Sequence, residues 1–326
     1  VAPFFAGTRH TILGPTNATA FMVFSFFALN PLLAQRKAEL VPLLVLMVGV
    51  LSVIGALIRL ADLLQYVSRS VLVGYISGAA TLIIANQAKH LFGVAGLVPA
   101  GESRTFAGIL GSLGDALPSM QPLPLVIATL TMAGYFTMSR WKPRWPNFAL
   151  VLVLISAATA AVRQLAAPFH PTLAQAFDNL AYFSNFSFSD LTPSLPSLAR
   201  DGIFSDISGL VGVALAIAFL ASLENTVMAK TLANRSGDRA DVNQDMFSVG
   251  LANIATAVAG GMPASGSLTR STLNFTSGAA SRLSSLFSGI YVLLAALVIA
   301  ASGLPSIGVP LINYVPKSCL AGLVVV

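Results

Sequence analysis

Gly260-Gly261-Met262-Pro263-Ala264-Ser265-Gly266-Ser267-Leu268-Thr269-Arg270 is the stretch on which the fold turns. Glycine and proline interrupt a helix here, and the residues that follow open a new apolar segment with a cation in its first turn. A cation in that position is costly in hydrocarbon unless it faces a polar cavity, so Arg270 marks a place for an anion. The same punctuation appears near the other end of the chain, at Gly14-Pro15-Thr16-Asn17. Gly and Pro also kink membrane helices with no ligand nearby, so neither segment alone carries the reading. The pair does: interrupted segments in corresponding places of two halves point to an inverted-repeat transporter core and its binding site.

The rest of the chain supplies the setting. Hydrophobic residues are 56% of its 326 residues and charged residues only 9%, well below the roughly 25% charged that is usual in soluble domains. Mean hydropathy is +0.81. Stretches free of Asp, Glu, Lys and Arg run over 40–58, 70–88, 116–139, 145–162, 207–223 and 283–316, most of them near the roughly 20 residues needed to cross hydrocarbon. The expectation is an all-α polytopic membrane protein of about ten spans or half-spans. An extended or half-helical entry covers 6–29, with spans near 40–58, 67–92, 121–139 and 146–162. Further spans lie near 207–229, 242–259, 283–302 and 305–326, with a second extended-plus-half-helix at 262–278.

A net charge of +6 could suggest nucleic acid, but the basic residues are dispersed between apolar runs, so no nucleic-acid partner is expected. Used for topology, they put Arg59/Arg69, Arg140/Lys142/Arg144, Lys230/Arg235/Arg239 and Arg282 in cytoplasmic loops, and the polar stretch 163–206 outside. The single cysteine, Cys319, excludes an internal disulfide. His10, His90 and His170 have no metal-ligand spacing, and neither a metal nor a cofactor is expected. Gly74-Tyr75-Ile76-Ser77-Gly78 reads as a small-residue face for helix packing, and Trp141 and Trp145 as an interfacial anchor. The chain opens at Val1 with no signal peptide and reads as a fragment.

Several strings resemble the SulP, or sulfate permease, family of anion transporters. They are Gly7-Thr8-Arg9-His10 with Gly14-Pro15-Thr16, Met228 to Asn234 with Asp241-Val242-Asn243-Gln244-Asp245, Gly250 to Ile254, Gly266 to Ser271, and Val315 to Val326. The resemblance covers nearly the whole chain, in order. It implies a uracil-transporter-like fold of two inverted sevens, truncated here at both ends, with a core moving against a gate. The first-repeat portion would occupy about 1–165 and the second about 206–326, with the family's cytoplasmic STAS domain absent from this stretch. It also implies a multi-pass protein of the inner or plasma membrane, with lipid around it and the choice between monomer and homodimer left open.

By that scheme Gly14-Pro15-Thr16 opens one half-helix and Ser267-Leu268-Thr269 the other, so that their orphan N–H groups point at one anion from two sides. Gly14 and Gly266 let a ligand approach the backbone. Thr16, Asn17, Ser267 and Thr269 add side-chain donors and Arg270 a positive field, although the hydroxyls can equally bond within their own helices. Glu224 interrupts the apolar run 207–229. Low dielectric favours its neutral form, which suits a group that gains and loses a proton during transport. An ion pair of Glu224 with Arg270 that only holds the core together is the alternative. Sodium-coupled relatives tend to have a hydroxyl one turn later; Met228 stands there and is a poor ligand for a hard cation. The expected function is proton-coupled secondary transport of an inorganic anion, sulfate first, then bicarbonate or a dicarboxylate. An uncoupled exchanger or channel and a non-transporting anion-binding scaffold remain as alternatives. No HExxH, paired catalytic carboxylates or Ser/His dyad is visible, so an enzyme is not expected.

Overall fold

The computed structural model describes residues 2–64, 66, 69–98, 106–142, 145–166, 168–183, 186–193, 195–196, 201–237, 239–303 and 310–325. The chain divides into two compact units, 1–79 with 191–294 and 80–190 with 295–326, each built from two separate stretches of the sequence. Ten helices correspond to the expected spans: α1 (Asn17–Leu29), α2 (Lys37–Leu57), α3 (Arg69–Leu91), α4 (Pro122–Trp141), α5 (Asn147–Ala166), α6 (Ile203–Ser236), α7 (Val242–Val258), α8 (Leu268–Thr276), α9 (Leu283–Ser302) and α10 (Lys317–Val325). Among the described residues, five of them (α2, α4, α5, α6 and α9) are long and apolar enough to cross a membrane.

Several boundaries differ from the sequence reading. The apolar run expected over 207–229 belongs to a 34-residue helix, α6, that begins at Ile203 and continues through Lys230 and Arg235 to Ser236. Charge ends a span, but it does not end a helix: Lys and Arg are good helix formers, and the stop comes at Gly237, left-handed with φ of 74°. The polar stretch 163–206, read as a loop, contains the helix Pro171–Asp178, started by proline at its first position. Residues 67–68, Arg144 and 304–309 fall outside the described residues. The span expected over 305–326 is a half-helix instead: 311–314 form a single tight turn, Pro316 bridges to Tyr182, and α10 starts only at Lys317. The small-residue face at Gly74 and Gly78 meets no neighbour within 4 Å of an added Cβ, so packing there does not occur among the described residues.

In the first unit, α1, α2 and α6 share a core of Val23, Phe27, Leu40, Leu44, Val45, Val48, Leu210 and Ile217. Burial alone does not drive helices together in lipid, since acyl chains are as apolar as leucine; close backbone approach does. The α2–α7 crossing supplies it through Gly49 and Gly250. A Cβ on Gly49 would lie 2.7 Å from the Ile254 nitrogen, and one on Gly250 would lie 2.8 Å from the Val53 nitrogen. Arg36 fixes the start of α6 by a two-pronged pair with buried Asp206, at 3.1 and 2.8 Å. In the second unit, Ile127, Phe177, Leu180 and Cys319 form one core cluster. There α10 lies against α4 so closely that a Cβ on Gly322 would stand 2.9 Å from the Ala128 carbonyl oxygen.

Candidate functional site

The two interrupted segments meet in the first unit. Leu13–Pro15 (β1) and Ala264–Gly266 (β2) pair antiparallel, Leu13 opposite Gly266, Gly14 opposite Ser265 and Pro15 opposite Ala264. Each strand runs directly into a half-helix, β1 into α1 and β2 into α8. Both helices start by the same local chemistry. Thr16 caps α1, its Oγ1 accepting from the Thr19 amide at 3.3 Å while the Thr19 hydroxyl accepts from the Thr16 amide at 3.2 Å. Ser267 caps α8, its Oγ accepting from the Arg270 amide at 3.4 Å. These hydroxyls therefore serve the helix starts first, the local role open to them from the sequence.

Arg270 lies across the pair. Its Nη2 donates to the Pro15 carbonyl at 3.0 Å, and a Cβ on Gly14 would meet its Nη1 at 2.8 Å. A side chain at 14 would have to push the guanidinium aside. Glu224 approaches from α6, its Oε2 accepting from the Ser265 hydroxyl at 2.6 Å and the Thr16 hydroxyl at 3.2 Å. The same two hydroxyls are 3.0 Å apart. Among the described residues Glu224 makes no ion pair with Arg270, so the carboxylate and the guanidinium are held by separate partners.

The other expected residues fall at the rim. Asn17, Leu268 and Thr269 are exposed, in the first turns of their helices, and Pro15 is exposed at the end of β1. Gly266 is buried against α6, where an added Cβ would collide with Asn225 and stand 2.8 Å from the Met228 Cε. Met228 is fully buried and takes a 3.9 Å contact from the Thr11 hydroxyl, so no oxygen ligand is offered at that position.

Sequence reasoning missed the residues that hold the strands in place. Ser265 is fully buried and is the shortest partner of Glu224. Asn253 on α7, also fully buried, donates to the Ala264 carbonyl at 2.9 Å and accepts from the Ala264 amide at 2.8 Å, acting as a substitute strand for β2. Asp245 accepts from the amides of Gly7 and Thr8 at 2.8 and 3.1 Å and anchors the approach to β1. The Ser271 hydroxyl accepts from the Ile12 amide at 2.9 Å. A signal existed, since Asn253 and Asp245 are polar residues in an apolar helix. Their partners, however, lie 11 and about 237 residues away, beyond any local pattern.

The sequence pattern of the sulfate permease family matches residues 1–326. The chain is 26% identical to sulfate transporter 4.1, chloroplastic, of Arabidopsis thaliana, over 100% of this chain and 44% of the relative. It is 25% identical to the sodium-independent sulfate anion transporter of Bos taurus, over 99% of this chain and 53% of that one. Among solved structures, the transmembrane domain of the cyanobacterium bicarbonate transporter BicA superposes with a TM-score of 0.76 at 19% identity, covering 99% of this chain and 76% of the other. That likeness concerns the fold. The chain spans about half the length of the curated relatives it matches, 55% and 49% for two of them.

Proposed function

Because the chain belongs to the sulfate permease family, we propose that it carries the anion site of a secondary active transporter, with sulfate as the leading substrate. The observation that supports this is the meeting of two capped half-helices across β1–β2, with Arg270 lying over Pro15. Two helix N-termini and a guanidinium replace the water that a sulfate loses, and do so without a dedicated negative partner beside the cation. Gly14, Pro15, Thr16, Asn17, Gly266, Ser267, Leu268, Thr269 and Arg270 make up the site. Bicarbonate is the second candidate, supported by the fold shared with a bicarbonate transporter; a dicarboxylate fits the same donors.

Glu224 is the coupling group in this reading. Protonated, it can donate to the oxygens it now accepts from; ionised, it adds a negative charge beside the anion. A proton taken up with the anion removes that repulsion. Buried Met228 disfavours sodium in the same place. The first unit, 1–79 with 191–294, holds both half-helices and α6 and is the body that moves in an elevator-type cycle, with elements from each of the two proposed repeats. A homodimer in the cell or inner membrane is the form proposed for the whole protein. Uptake by proteoliposomes containing the full-length protein tests all of this together. Saturable sulfate uptake accelerated by an inward proton gradient supports it; flux that follows only the electrical potential indicates a channel, and binding without flux indicates a scaffold.

A further inference from the structure

We propose that the second unit carries an anion site of its own, separate from the transport site, at the start of α10. A cavity of about 390 Å³ lies there, lined by His90 from the end of α3, Gln121 at the start of α4, Asn179, and Lys317 and Ser318 of α10. None of its lining residues is acidic. Lys317 is the first residue of α10, at the end of the helix that prefers an anion, and its ammonium lies 5.9 Å from the centre of the Phe183 ring. The same ammonium is close enough to Lys89, just outside the lining, for the two charges to repel. Asp178, beside Asn179, is committed to Arg163 at 2.5 Å.

The neutral groups point the same way. Ser318 is only 4% exposed and its Oγ has no hydrogen-bond partner, although leaving a buried hydroxyl unpaired is costly. The Nδ1 of His90 is likewise buried and unpartnered. The wall is built rather than loose: the Gln121 amide donates to the Phe92 carbonyl at 3.0 Å, and Gly93, at φ of 71°, packs so that an added Cβ would meet the Pro124 Cγ at 2.7 Å. The Lys317 ammonium, a helix N-terminus and an unpaired hydroxyl are together resolved by one compact oxyanion. The cavity exceeds the volume of a single such ion, so the ion is hydrated or is the phosphate of a lipid headgroup.

The test uses the full-length protein carrying Arg270→Ala, which disables the proposed transport site and leaves the second unit untouched. In detergent, thermal unfolding is followed while sulfate or inorganic phosphate is titrated; in nanodiscs, retention of phosphatidylglycerol against phosphatidylcholine is read by native mass spectrometry. Lys317→Gln should weaken the effective ligand about tenfold or more, and Lys317→Arg should restore it. Without ligand, Lys317→Gln should unfold at a higher temperature than its parent, because the repulsion is gone. Stabilisation by the free ions identifies a soluble oxyanion, and selective retention of phosphatidylglycerol identifies a lipid. If Lys317→Gln does not fold, Ser318→Ala, which removes the unpaired hydroxyl, carries the ligand comparison and should weaken the same ligand. Equal responses with and without the Lys317 charge, or no response to either source, overturn the proposal.

Discussion

Replacing Asn253 by alanine is the sharpest probe of how the site is held. In the folded protein its side chain both donates to and accepts from Ala264, at 2.9 and 2.8 Å, and that pair of backbone groups is buried. Asn253→Ala orphans one amide and one carbonyl away from water. Each unsatisfied buried group costs about 1–3 kcal/mol, so the variant should lose about 2–6 kcal/mol from the first unit. The bond from Asn253 to Val249 adds little, because that carbonyl belongs to α7 and keeps its own helical partner. The effect should also reach the ligand. β2 carries Ser265 and leads into the cap of α8, so a loosened strand degrades a preorganised site; sulfate affinity should fall about tenfold, the equivalent of ~1.4 kcal/mol. Thermal unfolding of the detergent-purified full-length protein, with and without sulfate, gives both quantities. Destabilisation below about 1 kcal/mol with unchanged affinity would refute the reasoning, since β2 would then be positioned by its ladder with β1 alone.

Three other outcomes are expected. Arg270→Ala removes a charge-assisted bond, worth about 1.5–3 kcal/mol, and should weaken sulfate binding about tenfold to a hundredfold, whereas Thr269→Ala should cost less because its hydroxyl makes no bond among the described residues; unchanged affinity with intact thermal stability would make Arg270 a strut between the segments. Glu224→Gln keeps a carbonyl oxygen for Ser265 and Thr16 but cannot titrate, so the protein should still bind sulfate while uptake no longer responds to an inward proton gradient. With Cys319 replaced, cysteines at Ser236 and Ser189 should be labelled from opposite faces of the membrane, the first from the cytoplasm, and labelling of both from one side would overturn the loop assignment.

The two half-helices were legible in the sequence because Gly-Pro and Gly-Met-Pro breaks, followed by Thr16 and Ser267, are local signals that act within three or four residues. The apolar spans were legible for the same reason. What joined them was not. The register that sets Gly14 opposite Ser265, the pairing of Ser265 with Glu224, and the role of Asn253 all depend on which distant segment arrives, and a run such as Ala264-Ser265-Gly266 carries too little side chain to announce a strand. Glu224 stood out by its charge, yet its partners proved to be hydroxyls rather than the arginine that charge alone would select. The long reach of α6 past Lys230 was hidden because hydropathy measures where lipid ends, not where the helical hydrogen bonds do.

The short ladder between β1 and β2 also bears on how the proposed transport site would release an anion. Prising the half-helices apart would break ladder bonds, the Arg270 bond to Pro15 and the hydroxyl contacts of Glu224 in one step, at about 1 kcal/mol or more for each. A clasp of this kind is uncovered rather than dismantled. On that reading an anion arriving from either face would meet the same donors in the same geometry, and the protein itself would hold no preference for direction. In the proposed cycle, whether cargo enters or leaves would be decided by the concentrations on the two sides and by the charge state of Glu224, which would make the carrier a reversible turnstile whose bearing is set from outside.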